Sequence, residues 1–148
     1  MKKILFLAVA AASTLALGSC SNDDNEDETT IVGTWKHSQV RVISGKDNST
    51  ILSNNILDDC EKKQTSEFTA DGKLKSNYYE FYNGSCNHYY DETSYTYNKT
   101  TKVLVVDGVT TPVKSLTKAE FVVIDSSMDG EDYNNDGYDD IYELHLVK

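Results

Sequence analysis

Residues 93–125 read TSYTYNKTTKVLVVDGVTTPVKSLTKAEFVVID. Short runs of β-branched and aromatic residues alternate here with turn residues. Residues 93–98 (TSYTYN) place one residue type on each face of a strand by their period of two, and 99–101 turn. Residues 102–107 (KVLVVD) form a second strand. Asp107-Gly108 is a hairpin signal, because both central positions of a type I′ turn need positive φ. Residues 109–114 return, 115–118 link, and 119–125 (AEFVVID) make a fourth strand. No apolar spacing of 3.6 runs through the stretch, so it reads as consecutive antiparallel strands.

The pattern continues in both directions. Upstream, residues 31–35 (IVGTW) open the folded region, 39–44 (QVRVIS) alternate, and 45–48 (GKDN) turn. Residues 51–61 (ILSNNILDDCE) read as a loop or short helix. Residues 63–69 form a strand, 70–72 (ADG) a tight turn of the Asp-Gly kind, 73–82 the partner strand, 83–85 (NGS) a turn, and 86–90 another strand. Downstream, a long acidic loop over about 126–139 leads into a last strand at 141–147 (IYELHLV). Eight or nine strands joined by short turns predict an all-β, up-and-down antiparallel barrel or sandwich. A single proline, Pro112, leaves the ladders nearly uninterrupted.

The N-terminus is of another kind. MKKILFLAVAAASTLALGSC has Lys2 and Lys3, an apolar run at 4–17, and then Leu17-Gly18-Ser19-Cys20. The run has signal-peptide length and is too short to span a bilayer. The ending resembles the bacterial lipobox, whose cysteine carries the lipid. The resemblance implies a signal peptide over 1–19, lipidation of Cys20 and a membrane partner reached through that anchor. Residues 21–28 (SNDDNEDE) form an acidic flexible tether, 20–30 in all. The run resembles the export signal of Bacteroidetes surface lipoproteins. That implies the outer membrane, on the cell surface or alternatively its periplasmic face.

Charge and cysteine content bound the rest. The formal charge of −10 excludes nucleic-acid binding by electrostatics and disfavours an anionic membrane face. It becomes −12 once Lys2 and Lys3 leave, and the roughly 118 residues after the tether hold one core. With Cys20 taken by lipid, Cys60 and Cys86 form an even pair in an oxidising compartment, so one disulfide is expected rather than two free thiols. Two isolated cysteines lack the paired spacing of a zinc site.

Several pieces, taken in order, resemble the lipocalin-like domain of Bacteroidetes lipoproteins. Gly33-Thr34-Trp35 looks like the Gly-x-Trp start of lipocalin-type barrels, whose tryptophan plugs the closed end. DDCEKK ahead of FTADGKL, a second cysteine some 25 residues on, and SLTKAEFVV before an acidic turn and a last strand extend the match over nearly all of 31–148. The resemblance implies a lipocalin-like β-barrel of about eight strands. The long acidic turn near the C-terminus departs from the pattern.

That turn carries the sharpest chemical motif. Residues 132–141 (DYNNDGYDDI) place oxygen side chains at alternate positions, with glycine where the loop must bend sharply. Asp132, Asn134, Asp136, Asp140 and the Tyr138 carbonyl are the candidate ligands of a structural Ca²⁺. The spacing is similar to calcium loops that join strands in integrin-type propeller blades. Glu143 stands where an EF-hand ligand belongs, but on a strand it faces away with Ile141 and His145. Seven acids and no base between 129 and 143 repel one another without a cation.

Nothing in the sequence points to catalysis. His37, His88 and His145 share no metal spacing and read as strand-face residues; no nucleophile elbow, zinc helix or phosphate loop occurs. Asp58-Asp59 and Asp91-Glu92 read as solvated turns. Seven of the ten tyrosines lie between 78 and 97. They are good strand formers, or with Trp35 the aromatic lining of a pocket: Trp35, Tyr78, Tyr82, Tyr95 and Tyr97 are the candidate ligand residues. The expectation is therefore a non-catalytic module for a small apolar or aromatic ligand. The alternative is a structural accessory of an envelope complex with a filled barrel, and a hydrolase ranks third.

Overall fold

A computed structural model of the protein describes residues 29–128 and 130–148. The expectations for the leader, Cys20 and the tether up to residue 28 lie outside the described residues. Nine strands follow in order: β1 (Gly33–Ile43), β2 (Ile51–Ile56), β3 (Thr65–Phe68), β4 (Lys73–Tyr82), β5 (Ser85–Asn98), β6 (Val103–Val106), β7 (Val109–Leu116), β8 (Glu120–Ile124) and β9 (Ile141–Val147). Single 3-10 turns stand at Glu61–Lys63 and Ser126–Met128.

From β3 to β9 each strand pairs antiparallel with the next, and β9 returns to β1 from Lys36↔Val147 to Ile43↔Ile141. The sheet thus closes as an eight-stranded barrel. The opposite edge of β1 is shared. Residues 33–36 pair with β3 and residues 39–43 with β2, so β2 is a ninth strand laid beside the barrel wall.

Two expectations change. Ile51–Ile56 is a strand, although Ser53, Asn54 and Asn55 favour turns. These residues pair with Val42, Arg41 and Val40, so the open edge of β1 overrides local preference. Residues 85–98 form one strand of 14 residues rather than two, because Asp91 and Glu92 continue the ladder opposite Ser76 and Lys75. Glu92 faces a cation there instead of capping a turn.

The turns separate by chemistry. Asn83-Gly84 (φ 53° and 78°) and Asp107-Gly108 (φ 48° and 80°) have left-handed backbone at both positions, as a two-residue hairpin requires. Residues 69–72 instead make a longer turn. Its Thr69 amide donates to the Lys73 carbonyl at 2.8 Å, and only Gly72 has positive φ.

Alternate side chains point inward and build one core around Trp35, Phe68, Leu74, Tyr95, Leu104, Val113, Phe121 and Leu146. Trp35 is fully buried and donates its indole N–H to the Ile31 carbonyl at 2.7 Å. The Lys148 ammonium lies 4.6 Å from its ring centre. Burying each large aromatic side chain stabilises the barrel by roughly 2–3 kcal/mol. Trp35 thus closes the end where the described chain enters and leaves. The β1–β2, β4–β5 and β6–β7 turns and the β8–β9 loop surround the other end.

Candidate functional site

The inward positions above the Trp35 layer do not all meet. Phe68↔Leu74, Leu104↔Thr111, Phe121↔Leu146 and Val123↔Leu144 are cross-strand pairs on the inner face. They surround a cavity of about 240 Å³. Phe68, Leu74, Leu104, Phe121, Leu144 and Leu146 make its apolar wall, and Ser66, Thr111 and Asp125 are the polar groups on it. Asp125 follows Phe121 and Val123 by the strand period and lies one residue past β8 at the open rim, exposed to solvent.

Polar contacts behind Ser66 order one side. Its Oγ lies 3.0 Å from His37 Nε2, and the His37 amide donates to the Gln64 carbonyl at 3.1 Å. The Gln64 side chain donates onward to the Tyr79 carbonyl at 3.0 Å. Burial lowers the His37 pKa to about 4, against a smaller opposing effect of Gln64. The imidazole is therefore neutral at physiological pH and adds no positive charge beside the cavity.

The structure does not bring the five candidate aromatics onto one surface. Trp35 is the barrel floor. Tyr95 is buried, stacks edge-on against Phe68 at 4.9 Å and donates its hydroxyl to the Thr69 carbonyl at 2.8 Å. Tyr97 packs partly buried against the core. Tyr78 and Tyr82 stand exposed on the tall half of β4, with Tyr78 6.1 Å from Tyr89 across the hairpin. None of the five lines the 240 Å³ cavity. The aromatics fill the floor or rise above the rim, while aliphatic and phenylalanine positions between them leave the space.

On the outer face, Cys60 and Cys86 are bonded, with Cα atoms 5.6 Å apart. The bridge ties the segment after β2 to the start of β5. Beside it Tyr79 stacks on His88 at 4.7 Å, and His88 Nε2 lies 2.9 Å from Asn77 Oδ1. His145 is buried between two carboxylates, with Nδ1 3.3 Å from Glu120 and Nε2 3.1 Å from Glu143. The second oxygen of buried Glu143 accepts from Lys114. Each histidine is thus engaged in side-chain bonds between strands.

The acidic loop turns its oxygens onto its own backbone. Asp132 accepts from the Asp136 and Gly137 amides at 3.1 and 2.8 Å, and Asn134 accepts from Asp136 at 3.1 Å. Asp136 accepts from the Tyr138 amide at 3.1 Å. Asn135 (φ 58°) and Gly137 (φ 88°) supply the left-handed bends. Asp140 is 5% exposed and accepts from Gly45 and Tyr133 amides, both at 2.9 Å. Among the described residues, no three His, Cys, Asp or Glu side chains converge as a metal-ligand set.

Sequence reasoning missed Ser66, Thr111, Asp125 and Leu144 as cavity residues. Their inward parity was readable; the height at which the barrel leaves space was not. Comparison with known proteins adds one match: the family described as the lipocalin-like domain covers residues 31–123, from the segment before β1 into β8. No curated protein matches the chain.

Proposed function

The chain belongs to the lipocalin-like domain family, and we propose that it is a non-catalytic binding module whose barrel cavity holds a small apolar ligand. The observation that carries this reading is the space of about 240 Å³ lined by Phe68, Leu74, Leu104, Phe121, Leu144 and Leu146. Apolar cavities of this kind gain affinity by removing ligand surface from water, and a few polar groups fix orientation.

The proposal includes an address. Lipid on Cys20, in the outer membrane of a Bacteroidetes-like envelope, holds the domain at the cell surface. Eight residues separate Cys20 from Thr29, a span of at most about 30 Å when extended. Thr29 enters at the Trp35 end, so the anchor puts the closed end toward the membrane and the open rim away from it. In the same proposal a structural Ca²⁺ uses Asp132, Asn134, Asp136 and the Tyr138 carbonyl. Asp140 contributes only through lone pairs not engaged by Gly45 and Tyr133. The support is the spacing of oxygens and the concentration of acids, not an assembled ligand set.

A second reading is an accessory that docks a protein and leaves the barrel unfilled by ligand. Ile56, Phe81 and Tyr82, exposed at 73%, 62% and 62%, favour it. Residues 29–148 contain every described strand and the core they build, so they test both. Calorimetry with a small neutral alcohol such as 2-phenylethanol should give saturable binding, lost when Leu144→Phe fills the cavity without lowering the melting point. Absence of saturable binding would remove the cavity reading and leave the accessory.

A further inference from the structure

We infer that the cavity takes a ligand with a cationic head and a body of about one ring, the head at Asp125 and the body among Phe68, Leu74, Phe121 and Leu144. The inference rests on the cavity-binding reading above and adds a ligand class to it.

Size comes first. A cavity of about 150 Å³ is enough for benzene, and pockets for drug-sized ligands begin near 300 Å³. A cavity of about 240 Å³ lies between, which suits one ring with a short chain.

Charge comes next. Ser66 and Thr111 bring hydroxyls to the wall, and Asp125 brings its only formal charge. The Ser66 hydroxyl is engaged by His37, an imidazole that stays neutral at physiological pH. The loops at the open end repeat the sign. Asp47 lies in the β1–β2 turn, Asp107 in the β6–β7 turn, and Glu131 and Asp139 in the β8–β9 loop, beside Asp132, Asp136 and Asp140, whose charge a bound Ca²⁺ would offset only in part. Against them stands Lys46, whose ammonium lies 5.9 Å from the centre of the Tyr138 ring. A rim of net negative charge around an apolar cavity focuses the field and concentrates the opposite charge there. An ammonium at Asp125 adds a charge-assisted hydrogen bond, about twice as strong as a neutral one. A carboxylate ligand would meet repulsion at the same place.

The test compares three probes of nearly equal size on residues 29–148: 2-phenylethylammonium, 2-phenylethanol and 3-phenylpropanoate. Calorimetry at low salt should give affinities in that order, with the ammonium about threefold to fivefold tighter than the alcohol, the scale of an ion pair at a solvent-exposed carboxylate. Asp125→Asn, and independently Asp125→Ser, should bring the ammonium within about twofold of the alcohol, whose own affinity stays unchanged. Circular dichroism and melting confirm that each variant is folded. Equal binding of ammonium and alcohol to the unaltered protein would overturn the inference and leave the cavity reading standing. A preference that survives in both folded variants would also overturn it, since Asp125 would not be its source. No saturable binding of any probe would overturn both.

Discussion

The backbone amide of Gly45 donates to Oδ1 of Asp140 at 2.9 Å, joining the β1–β2 turn to the end of the acidic loop across 95 residues. The other oxygen of Asp140 accepts from Tyr133, so one buried carboxylate positions two loops at the barrel rim. The approach is close enough to exclude a side chain: a Cβ on Gly45 would lie 1.8 Å from the Asp139 carbonyl oxygen. Gly45→Ala should therefore force backbone apart and destabilise by about 1–3 kcal/mol. Asp140→Ala leaves two amides without their acceptor and should cost a similar amount, about 1–3 kcal/mol. Urea unfolding of both variants checks this. Midpoints unchanged from the parent would show that the loop does not brace the barrel.

The Cys60–Cys86 bridge makes a different demand. Only residues 74–77 of β4 pair with β3; from Tyr78 to Tyr82 the strand has β5 alone as its partner. The bridge and the turn at Glu61–Lys63 brace this overhang from outside. Closing a loop with a sequence separation of 26 is worth about 3–4 kcal/mol on the chain-entropy account. Paired Cys60→Ser and Cys86→Ser should lower stability by that order. Amides of residues 78–90 should lose hydrogen-exchange protection before those of β8 and β9. Uniform loss across the barrel would mean that the overhang is not a separate unit.

Strand order was legible because local chemistry and topology agree. Asn83-Gly84 and Asp107-Gly108 supply the backbone their hairpins need, and Lys73–Tyr82 and Ile141–Val147 alternate or run apolar to their observed ends. Ile51–Ile56 was illegible because its pairing comes from an edge of β1 that only the closed sheet exposes. The break expected at Asp91-Glu92 failed for a similar reason: Lys75 lies opposite, 17 residues away in the chain. The cavity was the least readable feature. Tyr95 and Tyr78 share parity and type, yet one fills the core and the other stands exposed beyond it. Height along the barrel depends on stagger between strands, which no local pattern encodes.

His37 makes stability depend on acid. Its folded pKa is about 4 against an ordinary 6.5, so the neutral form is favoured in the folded chain. Between those values the unfolded chain binds the extra proton, and stability rises with pH. The contribution of neutral His37 is complete above about pH 6.5 and is lost progressively as pH falls toward 4. The loss amounts to ~3 kcal/mol at the acid end. Urea unfolding from pH 4 to 7 should show this slope. His37→Gln, which cannot be protonated, should flatten it while keeping a partner for Ser66. An equal slope in the variant would assign the acid sensitivity to other groups.

The proposed calcium ion can be separated from the loop's own hydrogen bonds. Asp132 holds the loop through two amides, and any ion must bind on the side those amides leave free. Neutralising repulsion among Asp132, Asp136, Asp139 and Asp140 should then raise the melting point. Sites of extracellular type are half-filled near 10⁻⁴–10⁻³ M. At about ten times that concentration the linkage gain is roughly 1.4 kcal/mol. Residues 29–148 should therefore melt a few degrees higher in millimolar calcium than in chelator, with no matching response to sodium at equal ionic strength. Asp136→Asn should abolish the calcium response and change the chelator melting point little, because the amide oxygen still accepts from Tyr138. An identical melting point in calcium and chelator, with no binding heat, would leave the loop as a hydrogen-bonded strut from Asp140 to Gly45.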